Sequence, residues 1–211
     1  MSQPDLFLAS ASPRRRELLA QIGLCVEVIA QSVPEHLLEN ESPEEYVQRL
    51  AVEKARAGQA ALGGGSQYPV LGADTAVVVD GHILGKPADE TEAMAMLGRL
   101  SGRSHRVLSA VAVVGKDNLG QDRQELCLNQ SQVSFRMIDE HERRAYWRTG
   151  EPADKAGAYG IQGLAAVFIE HLDGSYSGVM GLPLFETSEL LGRFGIHALE
   201  KKRQREQATA S

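Results

Sequence analysis

The 211-residue chain has only two cysteines and one tryptophan, and no apolar run long enough to span a bilayer. Cys25 and Cys127 lie far apart, with no CxxC pair and no Cys/His cluster, which excludes a structural zinc site of the usual spacing. Both read as reduced core thiols, and the chain is expected to be cytoplasmic. Leu6 to Ala9 is too short for the apolar region of a secretory signal and runs into arginines rather than a cleavage site. Positive charge is not in surplus: 22 Lys and Arg stand against 28 Asp and Glu, a net −6. The broad basic field that duplex binding relies on is therefore missing, and neither nucleic acid nor membrane is an expected partner. No Gly-Lys-Ser/Thr follows a glycine cluster, so there is no Walker loop. The six histidines show neither metal-ligand spacing nor a triad context. What remains is ordinary globular composition, 43% hydrophobic and 24% charged, in a chain large enough to fold without a staple.

Along the chain, Leu6 to Ala9 predicts a strand, and Ser12-Pro13 opens a helix that Gly23 stops. Leu24 to Ala30 predicts a second strand. Ser42-Pro43-Glu44-Glu45 has the pattern of a capping box for a helix to about Leu62, and Gly63 to Ser66 reads as a flexible stop. Val70 to Ala73 and Thr75 to Val79 predict strand, Asp80-Gly81 a hairpin turn, and His82 to Leu84 the return. Asp89 caps a further helix. Val107 to Val114 and Leu126 to Phe135 predict paired strands, and Asp139 to Trp147 a short helix. Ala165 to Leu172 and Ser175 to Met180 predict a second hairpin about Asp173-Gly174. Pro183 to Phe194 predicts the last helix. Helices alternate with strands but hairpins are mixed in, which argues for an α/β or α+β domain with a mixed sheet. Residues 1–199 are expected to form one domain, and 200–211 a polar, disordered tail.

Four segments could carry chemistry. Ser10-Ala11-Ser12-Pro13-Arg14-Arg15-Arg16 lies where a strand hands over to a helix, a place where free N–H groups and the helix dipole favour an anion. Its arginines add fork-shaped phosphate donors, although a capped, solvated surface helix has the same pattern. Gly72-Ala73-Asp74-Thr75 sets a carboxylate in an otherwise apolar strand, where it is costly unless paired or metal-bound, or else marks a solvated bulge. Gly85-Lys86-Pro87 fixes a lysine between a hairpin and a rigid proline. Asp154 to Gly163 has three glycines in seven residues, Gly157, Gly160 and Gly163, which let a ligand approach the backbone. There Gln162 offers both a donor and an acceptor to a base edge, and the competing reading is a structural linker. Glu35 and Lys54, taken alone, read as solvated charges.

Taken in series, Ser-x-Ser-Pro-Arg-Arg, Gly-Ala-Asp-Thr, Gly-Lys-Pro and Asp-Lys-Ala-Gly-Ala-Tyr-Gly-Ile-Gln-Gly resemble the Maf family. These are nucleoside triphosphate pyrophosphatases, first named for an effect on septum formation. The resemblance spans about residues 5 to 197. It implies an α/β fold like that of inosine triphosphate pyrophosphatases: a mixed, elongated, twisted sheet flanked by helices, with a central cleft between two lobes. It implies hydrolysis of a nucleoside triphosphate to the monophosphate and pyrophosphate, assisted by Mg²⁺ or Mn²⁺. Asp74 matches the family's proton acceptor. Arg14, Thr75 and Gln162 match positions tied to base choice, and Ser10, Arg15, Glu35, Lys54 and Lys86 match the cleft's polar set. The Gly-Ile-Gln-Gly form with Thr75 resembles the subgroup acting on dTTP and UTP. Ala11, Arg16 and the Gly63 to Gln67 insert depart from the pattern without touching a motif residue.

The residue chemistry agrees with that implication. Arg14, Arg15, Lys54 and Lys86 could neutralise a triphosphate, whereas Glu35 and Asp74 would repel it unless a divalent cation lay between. Water would then attack the α-phosphorus, with the Ser12 helix N-terminus, a lysine and the metal facing the leaving oxygen. Two other expectations compete. One is the same reaction on 7-methyl-GTP or another modified nucleotide. The other is a non-catalytic nucleotide-binding regulator of cell division, which would need the cations but not the acids. A homodimer is compatible with the exposed strands and the amphipathic last helix.

Overall fold

The structure, a computed structural model, describes residues 3–30, 32–63 and 66–209. Its elements are β1 (Leu6–Leu8), α1 (Pro13–Gln21), β2 (Val26–Val28), α2 (Pro43–Ala61), β3 (Val70–Val79), β4 (His82–Leu84), α3 (Glu90–Leu100), β5 (Ser104–Lys116), β6 (Asp122–Phe135), α4 (Glu140–Arg148), β7 (Ile169–Asp173), α5 (Tyr176–Met180), α6 (Leu184–Gly192) and α7 (Ala198–Thr209). Short 3-10 turns occupy 151–154, 156–158 and 164–168. Gly64 and Gly65 of the expected flexible stop lie outside the described residues.

The sheet forks at β3. Strands run in the order β2-β1-β3-β5-β6-β7, and β4 also pairs with β3. One edge of β3 meets β5 in an antiparallel ladder. The other edge is shared: its first part pairs in parallel with β1, at Leu71↔Leu8, and its last part pairs antiparallel with β4, at Val77↔Leu84. Between these partners Gly72 to Ala76 face a gap. The chain leaves β1 and β4 at their carboxyl ends beside that gap, carrying Ser10 to Arg14 from one side and Gly85-Lys86 from the other. A crevice outside the carboxyl ends of neighbouring strands is where open α/β sheets place ligands.

Helices cover both faces. Since successive strand residues point to opposite sides, Val70, Ala76 and Val78 pack with Leu108, Ala110 and Ala112 under Val47, Ala51 and Ala55 of α2. The other face carries two clusters, which are the two lobes. Leu71, Ala73, Val111 and Val113 pack with α1 and α6. Val77, Val79, Val107 and Val133 pack with α3 and α4. The expected mixed α/β sheet flanked by helices is therefore present. No helix among the described residues is long and apolar enough to cross a membrane.

The α2 capping box forms as expected, with Ser42 and Glu45 bonded reciprocally, and Asp89 accepts from Glu92 N. Three expectations need correction. Ser175 to Met180 is not a returning strand but the cap and body of α5, because the Ser175 hydroxyl accepts from Gly178 N and starts a helical turn. Likewise, 164–168 is a 3-10 turn, and β7 begins only at Ile169. The tail expected to be disordered is helical through Thr209. It has no apolar stripe. Instead Lys201 and Arg205 pair with the buried Asp5 carboxylate, and Arg205 also donates to Gly23 O.

His105 lies in the α3/α4 lobe, 2% exposed, edge-on to Phe135 and Tyr159. Its Nε2 is 2.8 Å from the Tyr159 hydroxyl, and its Nδ1 is buried without a partner among the described residues. Burial pushes its pKa from 6.5 down to about 4. The unfolded chain therefore binds a proton that the folded chain refuses. Stability is complete above pH 6.5 and is lost as pH falls toward 4. This group's share of that loss is on the order of 3 kcal/mol. Urea titrations across that range should show a steep acid-side loss that His105→Phe flattens. An equal slope in the variant would assign the loss to other groups.

Candidate active site

The gap in the sheet opens into a cleft of about 780 Å³, and all ten residues singled out from the sequence line it: Ser10, Ser12, Arg14, Arg15, Glu35, Lys54, Asp74, Thr75, Lys86 and Gln162. Strand alternation sorts them. Asp74 points to the α2 face, where Lys54 reaches it from mid-helix; Thr75, the next residue, points to the face of α1 and α5.

On the α2 face, Lys54 Nζ lies 2.7 Å from Asp74 Oδ1 and 2.5 Å from Glu35 Oε1. Lys54 and Asp74 are buried, whereas Glu35 is half-exposed on the connection between β2 and α2. Burial is the largest influence on Asp74 and raises its pKa, against the attraction of Lys54 and Arg15. Burial also acts on Glu35, but there the Lys54 hydrogen bond and charge prevail and hold the pKa below the usual carboxylate range. The two acids differ because one sits within a sheet and the other on a loop.

On the opposite face, Arg15 is chiefly a strut. Its Nε donates to Gly181 O at 2.9 Å, NH1 to Ala73 O at 2.8 Å and to Ser10 Oγ at 3.1 Å, and NH2 to Thr75 Oγ1 at 3.3 Å. It satisfies the Ala73 carbonyl at the gap, where neither β1 nor β4 supplies a partner. Desolvation lowers its pKa, partly opposed by Asp74 and Glu35. Thr75 Oγ1 is 2.9 Å from Ser109 Oγ, which donates to Gly178 O at 2.6 Å, so α5 is fastened across the sheet. Thr75 is thus a partner of Arg15, Ser109 and α5 as well as a cleft residue.

Other groups are not engaged. Among the described residues, the side chains of Arg14, Lys86 and Gln162 make no hydrogen bond. Ser12 occupies the expected N-cap position of α1, but its hydroxyl does not cap the helix, and Ser12 N donates to Ser10 Oγ at 3.3 Å. The first turn of α1 contains no acidic residue. Cations, a helix N-terminus and a carboxamide therefore face the same cleft with their donors available, an arrangement suited to a ligand that is polyanionic at one end and heterocyclic at the other.

Residues 5–194 match the family described as Maf-like protein. The chain belongs to this family. A dTTP/UTP pyrophosphatase of Alkalilimnicola ehrlichii is 52% identical over 197 residues, which cover 92% of this chain and 95% of that protein. One of Saccharophagus degradans is 53% identical over 193 residues, covering 91% of this chain and 90% of its own. Among solved structures, a dITP/XTP pyrophosphatase of Mycobacterium abscessus aligns at a TM-score of 0.39 and 18% identity, over 62% of this chain and 73% of its own.

The site of this Maf-like chain also depends on residues not singled out from the sequence, one of them Ser109, buried behind Thr75. Ser109 interrupts the apolar run Val107 to Val113 as Asp74 interrupts β3, so the same reasoning applied to β5 would have found it. Glu151, unlike Ser109, lines the cleft. In the sequence it precedes Pro152 and reads as a loop charge. Only the fold shows that the glycine-rich segment wraps around it.

Proposed function

We propose that this chain hydrolyses dTTP and UTP to the nucleoside monophosphate and pyrophosphate. The observation that carries the proposal is the placement of two carboxylates, Asp74 and Glu35, on one buried lysine in a cationic cleft. A site that only gripped phosphate would have no use for them. Relatives about half identical over nearly their whole length, named dTTP/UTP pyrophosphatases, support the substrate class.

In this reading Arg14, Lys86 and the α1 N-terminus hold the triphosphate, with Lys54 behind them. Asp74 orients a water and takes its proton as the water oxygen bonds to the α-phosphorus. The bond from that phosphorus to the bridging oxygen breaks, and pyrophosphate leaves with the electron pair. Lys86 and the α1 N–H groups stabilise the charge on the leaving oxygen. Gln162 pairs with the pyrimidine edge through its carbonyl and amide.

A divalent cation, Mg²⁺ or Mn²⁺, belongs to the proposal. The donor set fits it: Asp74 and Glu35 each keep an oxygen not bonded to Lys54, and ions of this kind take one or two carboxylates plus substrate phosphates. Among the described residues no group of three or more His, Cys, Asp or Glu could hold a metal alone, so phosphate oxygens would complete the shell. When bound, the ion would supply positive charge against the phosphates.

The test is a panel of triphosphates with each metal, measuring phosphate with and without added inorganic pyrophosphatase. Phosphate appearing only with the coupling enzyme, mainly from dTTP and UTP, is the expected result. Binding without release from any nucleotide would overturn the proposal. Gln162→Ala should shift the kcat/KM ratio of dTTP to dGTP toward unity while leaving the melting temperature near wild type.

A further inference from the structure

Gln162 stands on the four-residue turn Gly160-Ile161-Gln162-Gly163, which closes on itself through Gly163 N to Gly160 O at 3.1 Å. The Gln162 side chain makes no hydrogen bond among the described residues, so its aim is set entirely by that turn. Two side chains hold the turn from outside. The Tyr146 hydroxyl, on α4, accepts from Gly160 N at 3.2 Å and donates to Glu151 Oε1 at 2.7 Å. Glu151 Oε2 accepts from Leu164 N at 2.9 Å, and Oε1 lies 3.5 Å from Ala165 N. One hydroxyl and one carboxylate, bonded to each other, therefore fix the backbone on both sides of Gln162.

The fit leaves no slack. A Cβ at Gly163 would lie 2.3 to 2.4 Å from the Glu151 carboxylate, so a side chain there would push the carboxylate off the turn. The Glu151 carbonyl is held in turn by Lys155 Nζ at 2.6 Å. Tyr146 is buried and packs edge-on to Phe168, which anchors its hydroxyl to the lobe core. Glu151 lines the cleft itself, but its oxygens are engaged by the turn and not directed at a phosphate.

We infer that Tyr146 and Glu151 are positioning residues for base selection, acting through Gln162. The inference rests on the proposed role of Gln162 at the base. Loosening either end of the turn lets Gln162 swing, which lowers discrimination between bases before it affects the chemistry at Asp74 and Lys54.

The experiment measures kcat and KM for dTTP, UTP and dGTP in Tyr146→Phe, Glu151→Gln, Gln162→Ala and the double variant Tyr146→Phe/Gln162→Ala. Each clamp variant should lose about 3- to 10-fold in the dTTP to dGTP ratio, the scale of one hydrogen bond. Most of the loss should fall in KM. The double variant should discriminate no worse than Gln162→Ala alone, since both changes act on one group. If Gln162→Ala changes the ratio and the clamp variants do not, the clamp is only structural and the inference fails. If Gln162→Ala leaves the ratio unchanged, the reading of Gln162 fails and the inference falls with it. Additive losses in the double variant would mean that the clamp acts through another group. Should Tyr146→Phe not fold, Glu151→Gln, which keeps one oxygen acceptor, carries the same test.

Discussion

Asp74→Asn should turn over dTTP about 10²-fold or more slowly than wild type, while still binding it. Asparagine keeps the size of the side chain and an oxygen that can accept the 2.7 Å bond from Lys54 Nζ. The helix-to-strand contact therefore survives, and the loss falls on chemistry rather than folding. What disappears is the capacity to take a proton from water. In metal-free buffer, removing a negative charge beside the phosphate site should not weaken nucleotide binding, so a non-hydrolysable triphosphate should bind there at least as tightly. The control is Glu35→Gln, which also removes a charge from Lys54 but lies half-exposed on a loop. Its loss should be smaller at saturating metal. Wild-type turnover in Asp74→Asn would remove Asp74 as proton acceptor and leave it as a counter-charge to Lys54. Equal losses in both variants would favour a shared electrostatic role over a specific one.

Much of this site was legible because its residues violate local rules. A carboxylate in an apolar strand and arginines at a helix N-terminus are locally unfavourable, a lysine before a proline is fixed in place, and each lines the cleft. The elements were legible where side chains cap their own backbone, as at Ser42 and Asp89. What stayed hidden depends on partners distant in the chain. Ser175 to Met180 has the apolar spacing of a strand, but Ser109 and Arg15 accommodate it as a helix by bonding the Gly178 and Gly181 carbonyls. The tail carries no apolar stripe, and only a buried Asp5 two hundred residues away gives its basic residues a place to dock. Arg15 looked like a phosphate ligand for the same reason as Arg14. The difference between them is that the fork in the sheet leaves the Ala73 carbonyl without a strand partner, and Arg15 reaches it.

Beside the same fork, a glycine sets how closely α2 packs on β3. Gly72 lies two residues before Asp74 and faces α2. A Cβ there would lie 2.4 Å from both Ala51 O and Ala55 N and 3.0 Å from Ala55 Cα, all backbone atoms that no rotamer change can move aside. Gly72 is what lets α2 lie against β3 closely enough for Lys54, one residue before Ala55, to reach Asp74. In Gly72→Ala the helix must shift outward. The overpacking should cost about 1–3 kcal/mol of stability. Displacement of Lys54 from Asp74 should cost about 10²-fold in kcat, the penalty for misplacing a catalytic group by about an ångström. The two effects separate if turnover is measured well below the melting transition, where the variant is fully folded. An activity loss that persists there is geometric. If Gly72→Ala melts and turns over like wild type, α2 has room to spare, and the close approach is not what aligns Lys54 with Asp74.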